Sequence, residues 1–284
     1  MTEMVTNERS LAIKRAHLYT FLQGCGRLLV AYSGGVDSAY LAWAAHQILG
    51  DKMQAVIADS PSLSRTGLRE AEEFAALHAI PLRKIATSEL SDPAYVRNDA
   101  MRCFHCKDAM FRLLDELAAK EGFNAVAYGV NADDQGDWRP GQQAASNHHV
   151  AAPLLEAGLG KQEIRELARL AGLALWNKPA SACLASRIEY NRPVTVEALA
   201  QVEAAEEYLR SLGLRQLRVR HHGELARLEI AREEMAPLLN VERFAEIAAH
   251  LKQIGFKFVA LDLEGFRSGS MNDLLPAEKI GRAG

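Results

Sequence analysis

Arg27-Leu28-Leu29-Val30-Ala31-Tyr32-Ser33-Gly34-Gly35-Val36-Asp37-Ser38 is the stretch on which the fold turns. Its first half is a short apolar run ended by glycines, which reads as a buried strand. The stretch Ser38–Leu49 that follows is rich in Ala, Leu, Trp and Gln and stops at Gly50, as a helix does. Between the two, Gly34 and Gly35 allow backbone conformations and close approach that larger residues forbid, so their amides can point at phosphate oxygens. Ser33 and Ser38 add hydroxyl donors, and the helix start adds free amides and the positive end of its dipole. Asp37 inside such an anion loop makes sense if it holds a Mg²⁺ that bridges phosphate oxygens. No Lys follows the glycines, so the loop is not a Walker motif. The plainer alternative is a glycine turn that only joins strand to helix.

Outward from this loop, apolar strands alternate with helices. Leu11–Gln23 reads as a helix, Met53–Ala58 as a strand, Arg65–His78 as a helix and Leu82–Ala86 as a strand. Asp108–Lys120 follows as a helix, Ala125–Tyr128 as a strand, Gly160–Ala171 as a helix and Leu173–Trp176 as a last strand. The alternation predicts an α/β fold with a doubly wound, mainly parallel sheet, whose ligands sit at the carboxyl ends of the strands. Beyond Tyr190–Pro193 the pattern changes. A charged helix over Thr195–Leu212 is followed by strands Gln216–His221 and Ala226–Ile230, a helix over Val241–Ile254 and a strand over Lys257–Leu263. Residues 1–188 are therefore expected to form the nucleotide domain and 189–284 a smaller α+β domain for substrate binding and oligomer contact.

The chain has 284 residues, 49% of them hydrophobic and 24% charged, with a formal net charge of −3. That balance argues against binding driven by neutralising a nucleic acid, and points to small substrates. No apolar run approaches the roughly 20 residues of a membrane span, and the polar start is unlike a signal peptide, so a cytoplasmic address is expected.

A second group of candidates lies at the end of the strand Ala125–Tyr128, in Gly129-Val130-Asn131-Ala132-Asp133-Asp134-Gln135-Gly136-Asp137. Asp133 and Asp134 can hold magnesium or orient a leaving pyrophosphate; the alternative is a solvated turn, where Asp, Asn and Gly are usual. Asp59, ending the second strand, is a weaker candidate for the nucleotide.

The four cysteines are Cys25, Cys103, Cys106 and Cys183. Cys103-Phe104-His105-Cys106 lies just ahead of a predicted helix, where a helix N-terminus favours thiolate. Cys183 lies in a loop after the last predicted strand, on the ligand side, while Cys25 reads as a small buried hydrophobe. Three cysteines on a four-iron cluster leave one iron open to another ligand; a zinc site completed by His105 or another His, and a redox pair, are the alternatives. The pairs His148-His149 and His221-His222 read as loop or surface residues.

Ser33–Ser38 resembles the loop of the PP-loop ATP pyrophosphatase superfamily. Together with Gly129–Gly141, Lys178–Arg187 and Gly265–Asn272, it makes the chain resemble the LarE family from about residue 10 to residue 275. The resemblance implies ATP as co-substrate with Mg²⁺, and binding through Ser33, Gly34, Gly35, Asp37, Ser38, Asp59, Gly129 and Asn131. It implies adenylylation of a carboxylate of pyridinium-3,5-biscarboxylic acid mononucleotide, then displacement of AMP by sulfur in nickel-pincer nucleotide synthesis. In single-cysteine relatives that sulfur comes from a sacrificed cysteine, which Cys183 matches. The added Cys103 and Cys106 make this chain look like the three-cysteine branch, with a [4Fe-4S] cluster on Cys103, Cys106 and Cys183 carrying an additional sulfide. Arg187, Arg218 and Arg220 are the implied substrate contacts, against the plainer reading of a solvated strand face. Glu203, Glu206 and Glu207 are expected on an exposed helix face or oligomer contact, the resemblance implying a homo-oligomer, a hexamer. A cluster-dependent tRNA thiolase of the same superfamily and a nucleotide-binding regulator with a zinc or redox sensor are the competing readings.

Overall fold

The computed structural model describes residues 2–135, 140–179, 182–236, 240–267 and 269–274. The chain divides into two compact units. The first holds 1–60, 65–87 and 104–181; the second holds 61–64, 88–103 and 182–284. Three excursions of the chain thus build the second unit, and the division at 103/104 passes through a helix.

In the first unit, α1 (Thr2–Gly24) leads into β1 (Leu28–Ala31), α2 (Val36–Leu49), β2 (Met53–Asp59), α3 (Arg65–Leu77) and β3 (Leu82–Ala86). After the short α4 (Pro93–Val96) of the second unit come α5 (Arg102–Glu121), β4 (Ala125–Tyr128), α6 (Pro140–Asn147), α7 (Pro153–Glu156) and α8 (Lys161–Leu170). The four strands pair in parallel in the order β3-β2-β1-β4. All four residues of β1 are buried, as a strand covered on both faces requires. Leu29 and Ala31 join Val56, Val126, Phe111 and Leu114 of α5, and Ala144 and Ala145 of α6, in one core. Leu28 and Val30 alternate to the opposite face. The strand order runs outward from β1 through β2 to β3 and then returns past β1 to β4, so the switch point lies between β1 and β4.

Two expectations fail here. Leu173–Trp176 is no strand: Ala174–Asn177 is a 3₁₀ turn. Its carbonyls are claimed by α8, since Arg165 donates to Trp176 O and Lys178 O, each at 2.7 Å, so the segment's polar groups are satisfied without a sheet. The helix predicted from Asp108 begins instead at Arg102. Nothing in Arg102–Lys107 breaks a helix, and the Arg102 side chain is anchored in the interior.

In the second unit, α9 (Val196–Ser211) is capped by Thr195, whose hydroxyl accepts from Ala198 N–H at 3.1 Å. Then come β5 (Leu217–His222), β6 (Leu225–Ile230), α10 (Arg232–Met235), α11 (Val241–Ile254) and β7 (Phe258–Leu261). The sheet order is β5-β6-β7, antiparallel then parallel. Leu217, Val219, Ala226, Leu228 and Ile230 pack on Ala205 and Leu209 of α9 and on Ile247 and Leu251 of α11. The alternate residues Arg218, Arg220, Arg227 and Glu229 share the other face. Among the described residues no helix is long and apolar enough to cross a membrane.

Candidate functional site

In the first unit the loops leaving β1 and β4 meet at the switch point. Gly34 has φ +72°, and a Cβ there would lie 2.8 Å from the Cβ of Ala71. Gly129 faces the start of α2 so closely that a Cβ would lie 2.8 Å from Ser38 N. Both glycines are therefore demanded by local geometry. Within the loop, Ser33 N–H donates to Ser38 Oγ at 3.1 Å, the two hydroxyls are 2.9 Å apart, and Ser38 Oγ donates to Gly35 O at 3.1 Å. Gly35 caps α2 without a side-chain bond, so by helix geometry the amides of Val36, Asp37 and Ser38 have no acceptor inside the helix. That is an anion cradle at the positive end of a 14-residue helix.

Asp37 and the β4 loop are tied together. Asn131, fully buried, donates from Nδ2 to Asp37 Oδ2 at 2.8 Å, and its amide donates to Asp134 Oδ2 at 3.3 Å. Burial pushes the Asp37 carboxyl up; the Asn131 bond lowers it, and the charge of Asp134 raises it again. The Asp134 charge disfavours that of Asp37, and Asn131 binds both carboxylates; paired carboxylates of this kind are donors that a divalent cation favours, so Mg²⁺ fits Asp37 with Asp134. Asp133 is engaged elsewhere: its carboxylate accepts the Lys161 amide at 2.7 Å, capping α8. Asp59 pairs with Arg65 at 2.6 Å. Asp137 lies outside the described residues, as does Ser268 of the terminal motif.

Three cations around this crevice escape a reading of the sequence. Lys178 Nζ donates to Gly34 O at 3.0 Å and pairs with Glu70 at 2.9 Å. Lys161 pairs with Asp134 at 3.0 Å, and Lys161 and Arg165 both lower the Asp37 carboxyl. Lys178 heads the Lys178–Arg187 motif, which is the available signal; Lys161 and Arg165 sit on an ordinary amphipathic helix and have none.

The arginines form a charged network in the second unit. Arg187 and Glu206 are 2% and 1% exposed and pair at 2.9 Å. Glu206 also binds Arg210 at 2.7 Å and accepts the Val219 amide at 3.2 Å. Glu206 is thus no exposed helix-face residue; it is the buried countercharge of an arginine cluster. Burial alone would raise its carboxyl, and Arg187 and Arg210 hold it low. Arg187 also donates to the carbonyls of Ala182 and Cys183, fastening the loop that presents the exposed Cys183. Arg220 pairs with fully buried Glu229 at 2.7 Å and meets Ser270 Oγ at 2.8 Å. Arg218 lies 5.1 Å from the Phe266 ring centre. Burial first, then Arg187, lower its guanidinium to about 10, the repulsion expected among crowded cations.

Cys103 and Cys106 are inside α5, one turn apart on one face, and not ahead of the helix. Cys103 is exposed and Cys106 half-buried. Cys103 and Cys183 share one cation, Arg102, itself only 4% exposed. Burial works against that charge, and Cys103, Cys183, Tyr190 and Tyr95 overcome it. Arg102 Nη2 lies 4.0 Å from Cys103 Sγ, and a cation so placed suits a cysteine that serves as a thiolate or cluster ligand. Among the described residues, no three His, Cys, Asp or Glu side chains are already gathered to hold a metal ion. Cys25 is half-buried, its thiol raised by burial and donating to Phe21 O at 3.3 Å. Exposed His149 is the turn residue its sequence suggests, whereas half-buried His148 bridges Asp115 and Asp108 at 2.6 and 3.1 Å and buried His221 meets Gln201 at 3.0 Å.

No protein-family model matches the chain. An uncharacterised protein of Synechocystis sp. is 40% identical over 265 residues, spanning 93% of this chain and 99% of the relative. A component of the glutamine-hydrolyzing GMP synthase of Pyrococcus horikoshii is 31% identical over 170 residues, about half of each chain. The pyridinium-3,5-bisthiocarboxylic acid mononucleotide synthase of Lactiplantibacillus plantarum is 36% identical over 272 residues, 95% of this chain and 98% of that enzyme. With that length of likeness, and with the glycine crevice and cysteine-bearing loop in place, the chain belongs to the LarE family of sulfur-transferring enzymes.

Proposed function

We propose that the protein is an ATP-dependent sulfur transferase that converts the carboxylates of pyridinium-3,5-biscarboxylic acid mononucleotide into thiocarboxylates, for nickel-pincer nucleotide synthesis. The observation that carries the ATP half is the cradle made by Gly34, Gly129 and the uncapped start of α2, with Asp37 held by Asn131 beside it. The amides of Val36, Asp37 and Ser38 bind pyrophosphate oxygens, and Lys178 and Lys161 balance the charge that grows as the α–β bond breaks. Asp37 with Asp134 would hold Mg²⁺, which supplies charge neutralisation at the phosphates. A substrate carboxylate oxygen attacks the α-phosphorus, pyrophosphate leaves, and the acyl adenylate gains AMP as a good leaving group. Arg218 and Arg220 share one face of β5 two residues apart, and two guanidinium groups so placed suit the phosphate and carboxylates of the substrate.

Cys103, Cys106 and Cys183 would hold a [4Fe-4S] cluster, which when bound supplies the sulfide that replaces AMP. The chain's own part is to set the Arg102 guanidinium beside them, 4.0 Å from Cys103 Sγ and bonded to Ala185 O in the Cys183 turn. A sacrificial Cys183 is the second reading, favoured by its exposed thiol and by the clamp of Arg187 on its carbonyl. Anaerobic protein given substrate and MgATP should yield substrate with oxygen replaced by sulfur over several turnovers, alongside iron and acid-labile sulfide. A single turnover with conversion of Cys183 to dehydroalanine would favour the second reading. No thiocarboxylate under either condition would sink both.

A further inference from the structure

Arg102 is a buried arginine with an unusual set of neighbours. Its Nη1 donates to Asn98 Oδ1 and, at 2.9 Å, to Ala185 O in the turn that follows Cys183. Its Nη2 lies 4.0 Å from Cys103 Sγ, and its guanidinium carbon lies 5.6 Å from the Tyr190 ring centre. Asn98, fully buried with φ +56°, donates from Nδ2 to the carbonyls of Ile188, Glu189 and Arg192 at 3.3, 2.9 and 2.9 Å. One side-chain pair therefore ties the start of α5 to the turn after Cys183 and to the residues that follow it. A buried guanidinium normally sits on a carboxylate, as Arg187 does on Glu206 and Arg220 on Glu229. Arg102 is set instead against an amide oxygen, a backbone carbonyl of the Cys183 turn, the Cys103 sulfur and the Tyr190 ring.

We infer that Arg102, held by Asn98, is the positioning cation of the sulfur site: it fixes Cys103 against the Cys183 turn and presents a positive potential to anionic sulfur carried there. This rests on the reading that these cysteines carry the transferred sulfur. A positive charge beside an anionic cluster also raises its reduction potential, because the added electron is stabilised.

The test uses full-length protein. In the iron-free form, Cys25, Cys103 and Cys183 are alkylated in parallel with iodoacetate, which is anionic, and iodoacetamide, which is neutral. Mass spectrometry gives the rate ratio at each cysteine, and the ratio cancels the reactivity of the thiol itself. The ratio at Cys103 and Cys183 should exceed that at Cys25 by about threefold or more, the size of one unit charge at such range. It should drop toward the Cys25 value at Cys103 in Arg102→Gln and be retained in Arg102→Lys. Equal ratios at the three cysteines of the wild type would overturn the inference without any variant, so a poorly folding Arg102→Gln leaves it testable. A ratio at Cys103 unmoved in folded Arg102→Gln would overturn it too. Iron analysis of the reconstituted wild type is read separately. Absence of iron contradicts the cluster and leaves the alkylation result standing, whereas a cluster whose potential is the same in wild type and Arg102→Gln contradicts the role of Arg102.

Discussion

The crevice at the switch point and the arginine–cysteine network of the second unit both prepare for negative charge, by opposite means. The crevice does it with backbone: two glycines, a helix start and amides aimed at one point. The network does it with side chains, burying Arg187, Arg220 and Arg102 and fastening each through Glu206, Glu229 or Asn98. Backbone cradles depend on the absence of atoms, so adding one methyl is the damaging change. Side-chain networks depend on charges that cannot be left alone, so removing one partner is.

That contrast ranks the expected effects. The largest is on stability: Glu206→Ala leaves Arg187 buried without its countercharge and should lower unfolding free energy by about 3–5 kcal/mol, read by urea denaturation. A loss below about 1 kcal/mol would mean that water reaches the pair and the network is not buried as described. Asp37→Asn should leave the melting temperature unchanged or raised, since it removes one of two opposed carboxylates, while slowing pyrophosphate release by about 10²–10³-fold. Gly129→Ala should slow the same step by about a hundredfold with Arg218 and Arg220 untouched, measured as pyrophosphate release at saturating ATP; near-normal activity would show that the cradle is not closed by that contact.

The smallest effect belongs to a half-buried clamp. His148 lies between Asp108 and Asp115. Burial lowers its imidazole, and the hydrogen bonds and charges of the two carboxylates together outweigh it and raise the group above 6.5. Asp108, which burial would raise, is held below its ordinary 3.8 by His148 and Arg112. The raised histidine contributes stability below 6.5 that is lost as pH rises through its higher folded value. The lowered aspartate contributes above 3.8, and its share is lost as pH falls. His148→Gln should therefore destabilise by less than about 1 kcal/mol, chiefly between pH 4 and 6.5, with the difference fading above that window. An equal loss at pH 9 would mean that packing, not charge, is what His148 supplies.

The same contrast explains what can be read from the sequence. The four strands and the helices between them follow from apolar runs and glycine stops, and Ser33–Ser38 with Gly129–Asp134 announce themselves because cradles require small residues at fixed places. Glu206 is misplaced by its sequence because a glutamate among glutamates on a charged helix looks solvated, and only the fold brings Arg187 and Arg210 to it. Trp176 is misplaced because four apolar residues satisfy a strand pattern whether or not a neighbour such as Arg165 has taken the last of their carbonyls. Cys103 and Cys106 look like a pre-helical loop because helix starts are set by tertiary anchors such as Arg102 as much as by propensity.

The most direct measurement is the fate of ATP labelled at the γ-phosphate, mixed with the protein, Mg²⁺ and pyridinium-3,5-biscarboxylic acid mononucleotide. Labelled pyrophosphate together with AMP, appearing only when the carboxylate substrate is present, is the expected result. Labelled orthophosphate with ADP, or pyrophosphate release indifferent to the substrate, would contradict carboxylate activation at Ser33–Ser38.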